Sequence, residues 1–403
     1  EEQFSHVTGK TTFDATGHFP SFMFSPSRYA WYKENKREIC GKITRYLPVD
    51  SWILCMFGGE EHANISSAAE SGFFDIKERL WNREWIDILD LNDDFFPAVI
   101  FAGEVVGNIS PEIQKELGLS PDVAIVSGLP DTQVALIGSG CVEERDVCAV
   151  IGTTGPVQAL HRKFIIDKDM KTWTSIIGLK DVVDSYILEA NTGLTGRLLD
   201  WVSKLFFNRI DYPHLDEIFL KFDELELADP ESVKNVIGFL GPDYLASSGN
   251  SVTPGAFMFP TPGMLDEESA RRASFITATF ENIQFAIYKN IQYLKAKLGQ
   301  PGLKKQYVLG GITRNELFCQ RFADLTRKPV ITTPQKESTI IGLFITCSIA
   351  EGTIKNQIDL KSWLDSSKNS KEFKPRSSFP DLQGSIKKRY KKWDALREKI
   401  KSL

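Results

Sequence analysis

Asp131 stands where a carboxylate could do chemistry. It follows a turn, Ser127-Gly-Leu-Pro-Asp131, that separates a short apolar run, Val123-Ala-Ile-Val126, from helix-like spacing over 131–137. The run, bounded by Pro121 and Gly128, suits a buried strand. Strand, turn, helix is a phosphate-handling arrangement in α/β proteins. A carboxylate held at such a turn can accept a proton from a hydroxyl, or it can serve as a helix N-cap; the residues alone leave both open. Gly152-Thr153-Thr154-Gly155 joins two extended runs, Cys148–Ile151 and Val157–Leu160. Its backbone N–H groups and hydroxyls could face phosphate oxygens with no Cβ in the way, although a plain hairpin turn has the same composition. Gly310-Gly311-Ile-Thr-Arg-Asn315 lies between a strand, Tyr307-Val-Leu309, and a helix over 314–327. Glycines there let a flat ligand approach the backbone, and the helix start favours negative charge.

Other chemistries are disfavoured. Gly138-Ser-Gly140-Cys-Val-Glu143 lacks the third glycine of a dinucleotide fingerprint and does not directly follow a strand. No Walker A sequence occurs, and the five histidines form no nucleophile triad. The six cysteines contain no CxxC and no metal-ligand spacing, so reduced thiols of a cytoplasmic protein are expected. Two Asn-x-Ser triplets, at Asn64 and Asn108, follow no signal peptide.

The chain that must position these residues has 403 of them, with 48 Lys+Arg against 53 Asp+Glu and a net charge of −5. That length allows two or three domains. Hydrophobic content of 42% and charged content of 25% are ordinary globular values, and a pI near 5.7 speaks against a nucleic-acid partner. The longest near-apolar stretch, Ile340–Ala350, is about half of what a spanning helix needs. A soluble chain with no membrane partner is therefore expected.

Helical spacing is read over Arg28–Glu34 and Lys77–Leu91. Ser110-Pro111-Glu112 supplies a helix start and Gly118 its stop. Three successive antiparallel strands are expected at Cys148–Ile151, Val157–Leu160 and Trp173–Ile177, with a domain boundary near 147. Helices follow over 193–208 and 266–298, then a strand over 329–332 and a helix over 337–351. In the basic tail from Ser385, the residues Ile386, Tyr390, Trp393, Leu396 and Ile400 share one helical face. Docking on its own domain is the favoured reading of that tail over a membrane or partner helix.

Taken in order, these pieces resemble the FGGY family of carbohydrate kinases. Met23-Phe-Ser-Pro-Ser-Arg28-Tyr-Ala-Trp31 is similar to its first signature, with Arg28 where Lys is usual. Asn64-Ile-Ser-Ser-Ala-Ala-Glu-Ser-Gly72 through Asp75-Ile76 resembles its Ser/Ala-rich segment. Val126-Ser-Gly-Leu-Pro-Asp131-Thr-Gln resembles its catalytic-aspartate motif, and Ile151-Gly-Thr-Thr-Gly155 its second phosphate loop. Thr195-Gly196 through Trp201 resembles the Gly–x₄–Trp helix start near the nucleotide. Gly310-Gly311 through Asn315, with Gln320, Ala323-Asp324 and Pro329-Val330, resembles the adenosine motif, and Glu337–Gly342 its following helix. Ala278-Thr-Phe-Glu281-Asn282-Ile283 resembles the second signature, with Asn282 where Gly is expected.

The resemblance implies an α/β fold of two actin/hexokinase-type (ribonuclease H-like) domains with a cleft between them. A sugar-side domain would cover 1–147 and a nucleotide-side domain 148–403. It implies ATP-dependent phosphorylation of a hydroxyl on a sugar or polyol, with a ketopentose such as xylulose favoured ahead of glycerol. Asp131 would take the hydroxyl proton, and Asp131, Thr132 and Met23 would meet the substrate. Gly152 and Thr153 would hold the γ- and β-phosphates, Thr154 and Gly196 would lie at the nucleotide, and Gly310, Gly311 and Asn315 would bracket the adenosine. ATP and Mg²⁺ are the implied cofactors, with the ion bridging phosphates through water, as its preference for few protein carboxylates suggests. A homodimer is compatible with this reading. The chain opens Glu1-Glu2-Gln3 without a Met, so the family's opening strand and its Asp-x-Gly-Thr loop are expected to lie outside it, roughly 60 or more residues at usual element lengths. The alternative is a catalytically silent, nucleotide-binding relative with a regulatory or scaffolding role.

Overall fold

Ser110, Pro111 and Gly118 act as their order predicts. Ser110 Oγ accepts from the Ile113 amide, Pro111 opens the helix Pro111–Leu117, and Gly118 closes it in the left-handed region. The structure is a computed structural model that describes residues 2–8, 10–19, 21–229, 236–241, 254–259, 268–299, 301–333, 335–367 and 370–401.

The chain forms two compact units. The first is Glu1–Glu144, Leu160–Glu189 and Lys336–Lys368; the second is Arg145–Ala159, Ala190–Gln335 and Asn369–Leu403. The units are thus discontinuous in sequence, unlike a single division between 147 and 148. The reason is local: two long strands, Thr154–His161 and Val183–Leu194, each run from one unit into the other.

In the first unit, His62–Asn64 pairs in parallel with Ala98–Ile100, and Val105–Asn108 pairs antiparallel with Ala124–Val126. The Val123–Val126 run is therefore a strand, but Ala124 is exposed and only Ile125 is buried, because its sheet has just two strands. Trp173–Leu179 pairs antiparallel with Val183–Glu189, and Ala102 adds a parallel bridge at Leu179. Phe4, Phe73, Trp85 and Phe95 form one apolar cluster; Ala63, Ile65, Phe74, Ile76 and Ile176 form another. Asn64 is fully buried and caps the helix Ile65–Ala69, with its Nδ2 donating to Asp50 at 2.6 Å, so that triplet offers no glycan acceptor.

Two expectations for this unit are corrected. Lys77–Leu91 is not one helix: Asp75 Oδ1 accepts from the amides of Lys77 and Glu78, Arg79 takes a positive φ of 59°, and a short strand, Leu80–Trp81, precedes the helix Glu84–Leu89. The carboxylate turn breaks the helical period that the apolar residues suggest. Nor does Trp173–Leu179 follow Thr154–His161 in the sheet; Val183–Leu194 lies between them, so the three strands do not form a meander.

In the second unit the strand order is Lys371–Phe373, Val330–Thr332, Gln306–Leu309, Val147–Val150, Thr154–His161, Val183–Leu194. Gln306–Leu309 is parallel to both its neighbours, and the flanking pairs are antiparallel. A 31-residue helix, Glu268–Leu298, buries Ile276, Phe280, Ile283, Ile287, Ile291 and Leu294 at helical spacing. Phe280 stacks on Phe219 with ring centres 4.4 Å apart. The tail is a helix, Pro380–Lys401, docked on its own unit through the buried Ile386 and Trp393. Asn282 seats it: its Oδ1 accepts from Trp393 Nε1 at 2.9 Å and from the Leu240 amide at 3.2 Å. A glycine there could do neither. All six cysteines are free.

Candidate active site

Asp131 is the first residue of the helix Asp131–Ser139, and Pro130 occupies the cap position. Asp131 is therefore not the N-cap. Its side chain is exposed; Oδ1 accepts from the Thr132 amide at 2.7 Å, and Oδ2 has no partner among the described residues. The helix is fixed by close approach to the helix Gln335–Ala350. A Cβ on Gly138 would lie 1.8 Å from Ser338 O, and one on Gly342 would lie 2.1 Å from Val134 O. Backbone this close admits no side chain, so these two glycines set the height at which Asp131 stands.

Beside that helix start lies a group of polar side chains to which the sequence reading assigned no role. Gln133 is buried and donates through Nε2 to Glu70 Oε1 at 3.2 Å. Ser175 Oγ donates to the same oxygen, and His18 Nε2 lies 3.3 Å from Glu70 Oε2. Burial pushes the Glu70 carboxyl up, but the His18, Ser175 and Gln133 contacts outweigh it and hold the group below its ordinary value. The rings of His18, Phe24 and Trp173 pack together at 4.9–5.8 Å. The signal that could have found Glu70 is a lone charge inside the small-residue run Ser66–Gly72. Met23 is 48% exposed in the turn before the helix Ser25–Asn35.

The second unit gathers the glycine and threonine positions. Thr153 and Thr154 are exposed at the mouth of the turn, with Gly152 half-buried behind them. Thr195 Oγ1 and the Gly196 amide both donate to Gly152 O, at 2.8 and 2.9 Å. A Cβ on Gly196 would lie 2.7 Å from that oxygen, so the start of the helix Gly196–Phe207 is pressed onto the turn. The Ile151 amide donates to Leu309 O, and Gly310 follows with φ 103°, where a Cβ would lie 2.1 Å from Ile151 O. Gly311 is exposed and opens a 3-10 turn, Gly311–Arg314. Gly152, Gly196 and Gly310 are thus joined through Thr195, Ile151 and Leu309, with Thr153 and Thr154 exposed beside them. Exposed hydroxyls, a helix start and side-chain-free backbone fit a polyphosphate.

Asn315 is differently placed. It is buried, its Oδ1 caps the helix Glu316–Thr326 by accepting from the Phe318 amide at 2.9 Å, and its Nδ2 donates to Asp216 at 2.6 Å. Burial pushes the Asp216 carboxyl up, with the Asn315 amide opposing it. Both ends of the Asn315 side chain are thus already engaged. Among the described residues no group of three His, Cys, Asp or Glu could hold a metal. No described helix is long and apolar enough to cross a membrane.

Gly310→Ala is expected to destabilise the second unit by about 1–3 kcal/mol, because a Cβ meets backbone at a positive φ. Thermal unfolding checks this, with Gly118→Ala, also at positive φ but in open space, as the milder control.

The second unit is thus a mixed sheet with glycine turns feeding helices. The crystal structure of Plasmodium falciparum glycerol kinase with ADP superposes with a TM-score of 0.81 at 19% identity, covering 99% of this chain and 77% of that one. At that identity the likeness is one of fold. The family model for the N-terminal domain of the FGGY family of carbohydrate kinases matches residues 3–138, and that for its C-terminal domain matches 148–351. The chain belongs to the FGGY family of carbohydrate kinases. It is 26% identical over 339 residues to the "Putative sugar kinase YoaC" of Bacillus subtilis, covering 83% of this chain and 66% of that protein. It is 22% identical over 385 residues to the xylulose kinase of Staphylococcus epidermidis, covering 94% of this chain and 72% of that protein. The chain thus spans about two thirds to three quarters of these relatives' length.

Proposed function

We propose that this protein transfers the terminal phosphoryl group of ATP to a hydroxyl of a small sugar or polyol, with Asp131 as proton acceptor. The observation that carries the proposal is the free Oδ2 of an exposed Asp131 at a rigidly seated helix start, within a family of carbohydrate kinases. Phosphoryl transfer is mostly positioning and charge neutralisation. The carboxylate needs only to face the attacking hydroxyl and take its proton as the new O–P bond forms. On the second unit, Gly152, Thr153, Thr154 and Gly196 hold the phosphates, and Gly310 and Gly311 give the adenosine a flat backbone surface. Asn315 supports that surface by capping the following helix. Bound Mg²⁺ would add positive charge to the phosphates that these residues hold. On this reading the first unit is the sugar side and the second the nucleotide side.

Xylulose, glycerol and gluconate kinases among similar proteins support a small polyhydroxylated substrate, and a ketopentose such as xylulose is the preferred candidate. The test is ADP release from Mg-ATP against xylulose, glycerol and other pentuloses and polyols. One substrate should stimulate release well above the ATP-only rate. Equal ADP release with and without every sugar would overturn the kinase reading in favour of a nucleotide-binding relative without transfer activity.

A further inference from the structure

Gln133 has both ends of its amide engaged: Nε2 donates to Glu70 Oε1 at 3.2 Å, and Oε1 accepts from Thr132 Oγ1 at 2.8 Å. The direction of this chain is forced. An ionised carboxylate only accepts, so the amide nitrogen must face Glu70 and the amide oxygen must face Thr132. The single proton of the Thr132 hydroxyl is then committed to Gln133, and only lone pairs remain on Thr132 Oγ1. Thr132 is half-buried beside Asp131, and its amide holds Asp131 Oδ1. Glu70 also accepts from Ser175 Oγ, and His18 Nε2 lies 3.3 Å from its other oxygen, with His18 Nδ1 2.7 Å from Thr16 O.

We propose that Glu70 is a positioning residue that acts through Gln133 to make Thr132 an obligate acceptor, so that the site beside Asp131 selects a substrate carrying a free hydroxyl next to the one that reacts. The substrate class is thereby a vicinal diol, and a ligand offering an ether or carbonyl at that point would leave lone pairs facing lone pairs. This deepens the kinase reading and rests on its assignment of Asp131. The low-lying Glu70 carboxyl agrees with an acceptor that stays ionised at neutral pH.

Glu70→Gln keeps shape and lets either end of the new amide face Gln133, so the polarity of Thr132 is no longer set. ADP release is measured with xylulose, glycerol and gluconate for the wild type, Glu70→Gln, Thr132→Val and the double variant, with thermal unfolding as a check on folding. The expected result is a KM raised about tenfold in Glu70→Gln, the scale of one misdirected hydrogen bond, with kcat within about threefold. The double variant should be no worse than Thr132→Val, because both act at one atom. An unchanged KM, or losses that multiply in the double variant, would overturn the relay while the kinase reading stands. If the wild type turns over none of the three, the same comparison is made on calorimetric Kd values for those compounds. The same pattern there supports the relay without the kinase reading, and absence of binding to all three sinks both.

Discussion

Asp131→Asn is expected to abolish sugar-stimulated ADP release, by about 10²–10⁴-fold in kcat, while leaving thermal unfolding unchanged. The amide has the shape of the carboxylate and keeps an oxygen for the Thr132 N–H, so the local hydrogen bond survives. What it lacks is the ability to take a proton. The exposed side chain makes no other contact among the described residues whose loss could unfold the helix start. A purely structural role makes the opposite forecast. A first-turn carboxylate contributes roughly 0.3–1 kcal/mol through the helix dipole, so a structural Asp131 would show a small loss of stability with activity retained. The two readings therefore separate on two measurements of one variant. KM for the sugar should change little, since a group that acts on the moving proton lowers kcat and kcat/KM together.

The helix start at Asp131 is legible in the sequence because its setting is local. Strand, turn and helix fall within fifteen residues, and proline and glycine punctuate them. Ser110, Pro111 and Gly118 were legible for the same reason. Where the deciding contact is distant, the reading fails. The strand Val183–Leu194 carries Asp184, Ser185, Glu189 and Asn191 among its apolar residues and ends through Gly193, so no clean alternation marks it. It is a strand because neighbours on both sides complete its hydrogen bonds. Glu70 is the same lesson at the site. Its partners His18, Gln133 and Ser175 lie 52, 63 and 105 positions away in the chain, and only the folded unit shows that they converge. For Asn315, its place after a glycine pair suggests a ligand contact, and only the folded unit shows that its amide also serves the Phe318 N–H and Asp216.

Arg389→Met is expected to lower the stability of the second unit by about 3–5 kcal/mol. Arg389 on the tail helix is 1% exposed and contacts both Glu226 and Glu281, donating to Glu281 at 2.6 Å. Arg321, also 1% exposed, donates to Asp223, Glu226 and Glu281 at 2.5–3.0 Å, and Arg376 joins Asp223 to Asp324. Three arginines thus face four carboxylates with no cation in excess, so removing one leaves buried negative charge uncompensated. The guanidinium carbon also lies 5.7 Å from the centre of the Phe222 ring, so methionine keeps an apolar stem but removes that contact together with the charge. Burial pushes the Glu226 carboxyl up, yet Arg321 and Arg389 outweigh it and draw the group down to about 2. A carboxylate depressed in the folded state contributes stability that is complete above its unfolded value, near 4.3, and is lost as pH falls toward about 2. In Arg389→Met that fall should begin at higher pH, because Glu226 loses one of its two cations. Thermal unfolding of the wild type and variant at pH 7 and at pH 3.5 measures both effects. The deficit should persist in 1 M salt, unlike that of an exposed ion pair; a shift of under 1 kcal/mol, or one erased by salt, would show that the network is screened by water.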